Sequence, residues 1–338
     1  MSARAWITIA VLCLLLVGTA SLRLSIRSRS IQDRQAGVPV LQTPEDSQIL
    51  ALRARRVLAA LCVGSALAVG GVALQTLLRN PLASPDLLGL AAGAGLAIVI
   101  ARYADHLAGL GLGASVRDPL PALIGSLATL ALLYMLSQRR GLVEPISLVL
   151  TGVILSVMGG AATVFVVQSL LPPSPGAAGS AWMFGAISDE VTWGQLALVG
   201  FVTAAGVVVC LRAAPAMDAA TLGDDEARSV GVRLGALRVT LLLVSGVLTA
   251  GAVVLAGPIG FVGLVCPHVV RLSAGPAHGP LIVGAALAGA TLVIGADTGV
   301  SAAASIWPTL GRVPIGVVTA LIGGPVFILL LRRQQGGS

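Results

Sequence analysis

The residues able to do chemistry are few and far apart. The three histidines, His106, His268 and His278, share no helix-face spacing that would bring two of them to one metal. The four cysteines, Cys13, Cys62, Cys210 and Cys266, all fall in apolar stretches without a C-x-x-C pair. They read as small buried hydrophobes rather than as disulfides or metal ligands. All 21 basic residues are arginine, which excludes both the lysine of a phosphate-binding loop and a Schiff-base lysine. No paired carboxylates, metal-ligand cluster or nucleophile–base arrangement is visible, so a membrane-embedded enzyme finds no support. The expectation is no catalytic residue, no cofactor and no metal site on this chain.

Charge gathers instead between apolar runs, most densely over 213–238. There Asp224, Asp225 and Glu226 follow Gly223 and precede Ala227-Arg228-Ser229-Val230, a short helix with its acids at the favourable N-terminal end. Gly231 would stop it, and a second short turn would run into the next apolar stretch. A compact helical pair of this kind is shaped for protein contact; an ordinary solvated connector is the alternative.

The elements that must position these groups follow from composition. Of 338 residues, 56% are hydrophobic and only 10% charged, where a soluble domain carries roughly a quarter charged. The 42 glycines suit helices that pack by close backbone approach in lipid. A spanning helix needs about 20 mostly apolar residues. Such stretches fall near 5–22, 54–77, 88–101, 119–137, 143–170, 192–211, 237–256, 258–272, 280–297 and 313–331, ten in all, with 258–272 interrupted by Pro258 and Pro267. The predicted class is an all-α integral membrane protein of about ten transmembrane helices.

Residues 1–49 read as a first helix and a polar external loop, 50–333 as the polytopic core, and 334–338 as a cytoplasmic tail. Arg4 before the first apolar run also fits a signal peptide, but the embedded remainder favours a retained helix. The net charge of +7 is scattered at helix ends, which suits anchoring to the bilayer rather than nucleic acid. With both termini inside, Arg79, Arg139, Arg140, Arg212, Arg228, Arg233, Arg238, Arg271, Arg332 and Arg333 face the cytoplasm. Arg23, Arg27, Arg29 and Arg34 would then lie outside, against the positive-inside tendency. Acids and arginines are nearly absent from the middles of the apolar stretches. That counts against an ion-coupled secondary transporter, which keeps intramembrane carboxylates or histidines as coupling groups.

Five stretches carry a resemblance. The first, within 52–97, includes Arg79-Asn80-Pro81-Leu82-Ala83, then Pro85 and Gly89; proline there stops a long helix and restricts the residue before it. Pro81 and Pro85 bracket a tight re-entry, and Gly89 with Gly93 offers a small-x-x-x-small face for helix contact. The second is Leu150-Thr151-Gly152-Val153, the third Trp182-Met183-Phe184-Gly185, and the fourth the island Leu222 to Val232. The fifth runs from Gly257-Pro258-Ile259-Gly260 through Pro267-His268 and Arg271 to Val313-Pro314-Ile315-Gly316 and Gly323-Gly324-Pro325-Val326-Phe327. In this order they resemble the FecCD-type permease subunits of ATP-binding-cassette importers for iron–siderophore, haem and cobalamin ligands, over about residues 50–333.

The resemblance implies a type II importer permease fold in the bacterial cell membrane, with two permease protomers, identical or related, enclosing one pathway. It implies ATPase subunits beneath, which carry ATP and Mg, and an extracytoplasmic substrate-binding protein above. Leu222, Gly223, Asp224, Glu226, Ala227, Arg228 and Gly231 would form the ATPase-coupling element, with Glu226, Ala227 and Gly231 at its core. Arg53 and Arg56 match arginines that meet acids of the binding protein, a match that sets orientation and on-rate. Arg55 stands between them in place of the family's proline. Arg312 replaces a frequent glutamate and Ser301 a frequent arginine, so the outer connection 298–313 departs from the pattern. The cytoplasmic gate maps to Glu144, Pro145, Ile146 and Ser147, where small hydroxyl residues are usual. Arg79, Asn80, Pro81, Gly89, Pro258, Gly260 and Pro267 serve as hinges, structural or gating. Iron–siderophore is the default substrate.

Overall fold

A computed structural model describes residues 2–25, 47–108, 119–139, 142–170, 185–187, 191–306 and 313–335. In hydrocarbon every backbone amide needs a partner within the chain, and uninterrupted apolar runs answer this by forming helices. They are α1 (Ala3–Ser25), α2 (Ser47–Leu78), α3 (Leu90–Ala108), α4 (Pro119–Leu136), α5 (Pro145–Ser169), α6 (Trp193–Leu222), the short α7 (Asp224–Ser229), α8 (Leu234–Ala256), α9 (Val262–Ala274), α10 (His278–Ile306) and α11 (Ile315–Gln335). Seven of the described helices are long and apolar enough to cross a membrane, and α4, α9 and the apolar part of α11 are shorter. Each of the ten apolar stretches thus corresponds to a helix.

Small residues set the packing. α2 is the central helix, with 89% of its apolar stretch buried, against 6% for α1 and 11% for α5. Gly64 of α2 meets Gly289 of α10, and Gly71 meets Gly263 of α9, so closely that an added methyl at either α2 position would overlap the opposing carbonyl. α2 and α10 run antiparallel in one register, with Arg56 beside Asp297, Gly64 beside Gly289 and Thr76 beside His278. The eight residues along α2 from Arg56 to Gly64 are matched by eight along α10 from Asp297 to Gly289.

Breaks occur where proline and glycine place them. α2 stops at Leu78; Arg79 then adopts φ 48°, and the Asn80 side chain accepts the Leu82 N–H at 2.9 Å. A 3-10 turn, Pro85–Leu88, follows and ends on Gly89 at φ 75°. Gly89 and Gly93 do not share a face: Gly89 lies outside the helix against Gly152 and Leu155 of α5, while Gly93 packs on Gly125 and Thr129 of α4. Between α8 and α9 the chain turns through Pro258, Gly260 and Phe261, the last at φ 69°, and the Asp86 carboxylate accepts the Phe261 N–H at 3.3 Å. Pro267 sits inside α9 without ending it.

Two expectations change. α6 starts on a capping box, Thr192 with Gln195, and continues through Pro215 to Leu222, so 213–222 is helix rather than connector. Cys13 is exposed on the outer side of α1, whereas Cys62, Cys210 and Cys266 are buried. Trp182, Met183 and Phe184 lie outside the described residues; Gly185 is within them and accepts the Gly316 N–H at 3.2 Å.

Candidate functional site

The polar groups assemble at the two ends of the bundle. At the end where α2 finishes, the island forms α7, flanked by Gly223 at φ 151° and Gly231 at φ 85°. Its faces differ in character. Ala227 is fully buried, so it packs into the protein and is not a surface contact, contrary to its place at the core of a docking face. Leu222 (75% exposed) and Val230 (70% exposed) project at either end of α7, beside Asp225, Glu226 and Arg228. Arg228 reaches back to Asp225 at 3.2 Å, and the Glu226 carboxylate lies over Gly223. Asp224 points the other way. It accepts hydrogen bonds from Arg79, at the end of α2, and from Arg238 of α8 at 2.9 Å.

A second polar chain braces this end, and nothing in residue spacing announced it. Asp218 of α6 accepts from the His278 backbone N–H at 3.0 Å and lies 2.6 Å from His278 Nδ1. On the other side of the ring, His278 Nε2 lies 2.9 Å from the Thr76 hydroxyl of α2. Beside it, Gln75 accepts from Arg271 of α9 at 3.1 Å and donates to the Gly263 carbonyl at 3.2 Å. These contacts join residues 60 to 202 positions apart.

The residues mapped to a gate sit at the start of α5. A short antiparallel pairing joins Gln138 with Val143 and Arg139 with Leu142, between the end of α4 and the start of α5. The Glu144 N–H donates to the Ser137 carbonyl at 2.9 Å, Pro145 opens the helix, and Ser147 is half-buried. Ile146 is 78% exposed. It heads an outward apolar row with Leu150, Val153, Ile154, Val157 and Met158.

At the far end the buried charges converge. Arg56 lies about 34 Å from Arg79 along α2 at the helical rise. Asp297 of α10 accepts from Arg56 at 2.7 Å and from Arg23 of α1 at 2.5 Å; Asp297 is 1% exposed and each arginine 6%. Arg56 therefore does not present its charge outward: the register of α2 on α10 turns it onto Asp297. The same contact explains Arg23, whose charge is spent inside the bundle and not in an external loop. Arg53 donates to the Leu24 carbonyl of α1, and Arg55 stacks over Trp193 with its carbon 5.8 Å from the ring centre. α2 runs unbroken through 53–56, so the replaced proline leaves no turn there. Arg312 lies outside the described residues.

Comparison with known proteins agrees with this architecture along the chain. The chain is 37% identical over 290 residues to a hemin transport system permease protein of Yersinia pestis, covering 85% of this chain and 83% of that one. It is 35% identical over 294 residues to a probable siderophore transport system permease protein of Bacillus subtilis, at 86% and 83% coverage. A cobalamin import system permease protein of Halobacterium salinarum matches at 33% over 295 residues, 86% of this chain and 76% of that one. Among solved structures, an inward-facing putative metal-chelate type ABC transporter superposes with TM-score 0.79 and 28% identity, over 97% of this chain and 99% of that one. The FecCD transport family pattern matches residues 6–333, and the chain belongs to that family.

Proposed function

We propose that this chain, a permease subunit of an ATP-binding-cassette importer, passes an intact iron–siderophore chelate across the bacterial cell membrane, with haem and cobalamin as the alternative ligands. The relatives named for hemin, siderophore and cobalamin transport, and the metal-chelate type neighbour, support that substrate class. Two protomers enclose the pathway. Separate ATPase subunits bind ATP and Mg, and a substrate-binding protein delivers the ligand from outside.

The observation that carries the reading is the two-sided character of α7. Its Ala227 and Asp224 side is held by the protein, while Leu222, Glu226, Arg228 and Val230 face away. Exposed apolar tips rimmed by charge suit a protein partner. The ATPase groove receives this face, and ATP binding biases a two-state dimer through it. Glu144, Pro145, Ile146 and Ser147 form the cytoplasmic gate. Arg53 and Arg312 remain the arginines for binding-protein docking, while Arg56 is held by Asp297 within the bundle.

The test is uptake into proteoliposomes holding this chain, its ATPase and its binding protein, with ferric siderophores, haem and cobalamin offered in turn. Uptake of one ligand that vanishes without ATP names the substrate. Uptake that continues without the ATPase subunit overturns the reading.

A further inference from the structure

A docking helix must also be held to whatever it moves, and α7 sits between two glycine connections with Ala227 buried beneath it. Both of its connections are glycines in the left-handed half of conformational space, Gly223 and Gly231, which turn more freely than any other residue. A side chain ties it to two further helices. Asp224 binds Arg79 with one carboxylate oxygen and Arg238 with both, so α7, the end of α2 and the start of α8 meet at one group.

Arg79 opens a cross-braced turn. Its own N–H donates to Thr76 at 3.2 Å and that of Asn80 to Gln75 at 3.1 Å; the Ala83 N–H returns to Asn80 at 3.1 Å. Gln75 spans the turn toward the Ala83 carbonyl, and the Pro85 ring fills the space beside Gly70 and Gly263. The turn ends at Gly89, where an added methyl would stand 3.0 Å from the Gly152 carbonyl and 3.2 Å from Leu155. Both residues belong to α5, about two turns beyond Ile146. A continuous run of contacts therefore leads from α7 to the helix that begins at the gate.

We propose that Asp224 is the pin that makes the 79–89 turn follow α7, so that displacement of α7 reaches α5 through Gly89. This rests on the reading of α7 as the ATPase-coupling element. Asp224 is a positioning residue, since among the described residues its oxygens meet the permease's own arginines. Arg79 and Asp224 are 42% and 32% exposed, and ion pairs so placed contribute little to stability. What the cluster supplies is a fixed relation between three elements.

The experiment uses the complete permease–ATPase complex in lipid, with Cys13→Ser to remove the exposed native thiol and Leu150→Cys, one turn past the gate on the outward row of α5, as the reporter. The rate of thiol labelling is compared without nucleotide and with ATP trapped by vanadate. The parent is expected to show a several-fold difference between the two states. Asp224→Asn should abolish that difference while ATP hydrolysis continues, and ligand carried per ATP should fall with it. Arg79→Gln should do the same, although Arg238 still holds α7 and the docking face is intact; it decides the matter if Asp224→Asn fails to assemble. Both variants keeping the parent's difference would overturn the pin and leave the coupling reading standing. A parent complex that hydrolyses ATP without any change in labelling would overturn the coupling reading itself, and the pin with it.

Discussion

Asp297 holds two guanidiniums with one carboxylate, so it is the member on which both of these contacts depend. Asp297→Asn takes from Arg23 and Arg56 the buried carboxylate they share, and breaking such a pair costs about 3–5 kcal/mol. A marked fall in the thermal unfolding midpoint of the purified chain in detergent checks this. Arg23→Met should cost less, because Arg56 still holds both oxygens of Asp297. An equal fall for the two variants would mean that Arg23 is the essential partner. Neither contact was legible in residue spacing, since the partners stand 274 and 241 positions apart. In the sequence Asp297 stands at the last position of the apolar stretch 280–297.

Element packing rests on a few glycines. A side chain at Gly64 or Gly289 must push α2 and α10 apart, and α2 is the helix on which the others gather. Gly64→Leu and Gly289→Leu are therefore expected to abolish monodisperse protein on size exclusion. Gly160→Ala on α5 and Gly299→Ala on α10, where nothing lies within 4 Å, should elute as the parent does. Comparable loss at all four positions would show that glycine serves these helices by something other than close approach. For α7 the prediction concerns traffic. Glu226→Arg reverses a charge on the outward face and should leave a folded permease whose uptake is lost. Normal uptake by that variant would remove Glu226 from the docking face.

The whole molecule separates an ATP-driven importer from an ion-coupled carrier. Among the described residues, Asp297 is committed to Arg23 and Arg56, Asp218 to His278, and Asp224 to Arg79 and Arg238. Uptake should accordingly persist when ionophores collapse the proton and sodium gradients, and stop when ATP is withdrawn. Loss of uptake on collapsing either gradient would point to a coupling ion. The outward rows on α1 and α5 carry Trp6, Ile7, Leu14, Val17, Val157 and Phe165, all more than half exposed in the single chain. Apolar surface of that extent belongs against lipid or a second protomer.

The sequence by itself determined the number of apolar helices, their breaks and the polar island. These are local consequences: twenty apolar residues must be helical in lipid, proline ends a hydrogen-bond ladder, and clustered acids leave the bilayer. It also carried the family's motifs in order. It misplaced the start of the island, because Pro215 lies in a helix already under way whose neighbours hold it in line. Only the tertiary structure decided which charges meet. Whether Arg56 looks outward or onto Asp297, and whether Asp224 faces a partner or Arg79, depends on the rotation and register of whole helices. That register is set by glycine contacts such as Gly64 on Gly289, between segments more than two hundred residues apart. A linear pattern records each helix's own face, but not which face of another helix lies opposite.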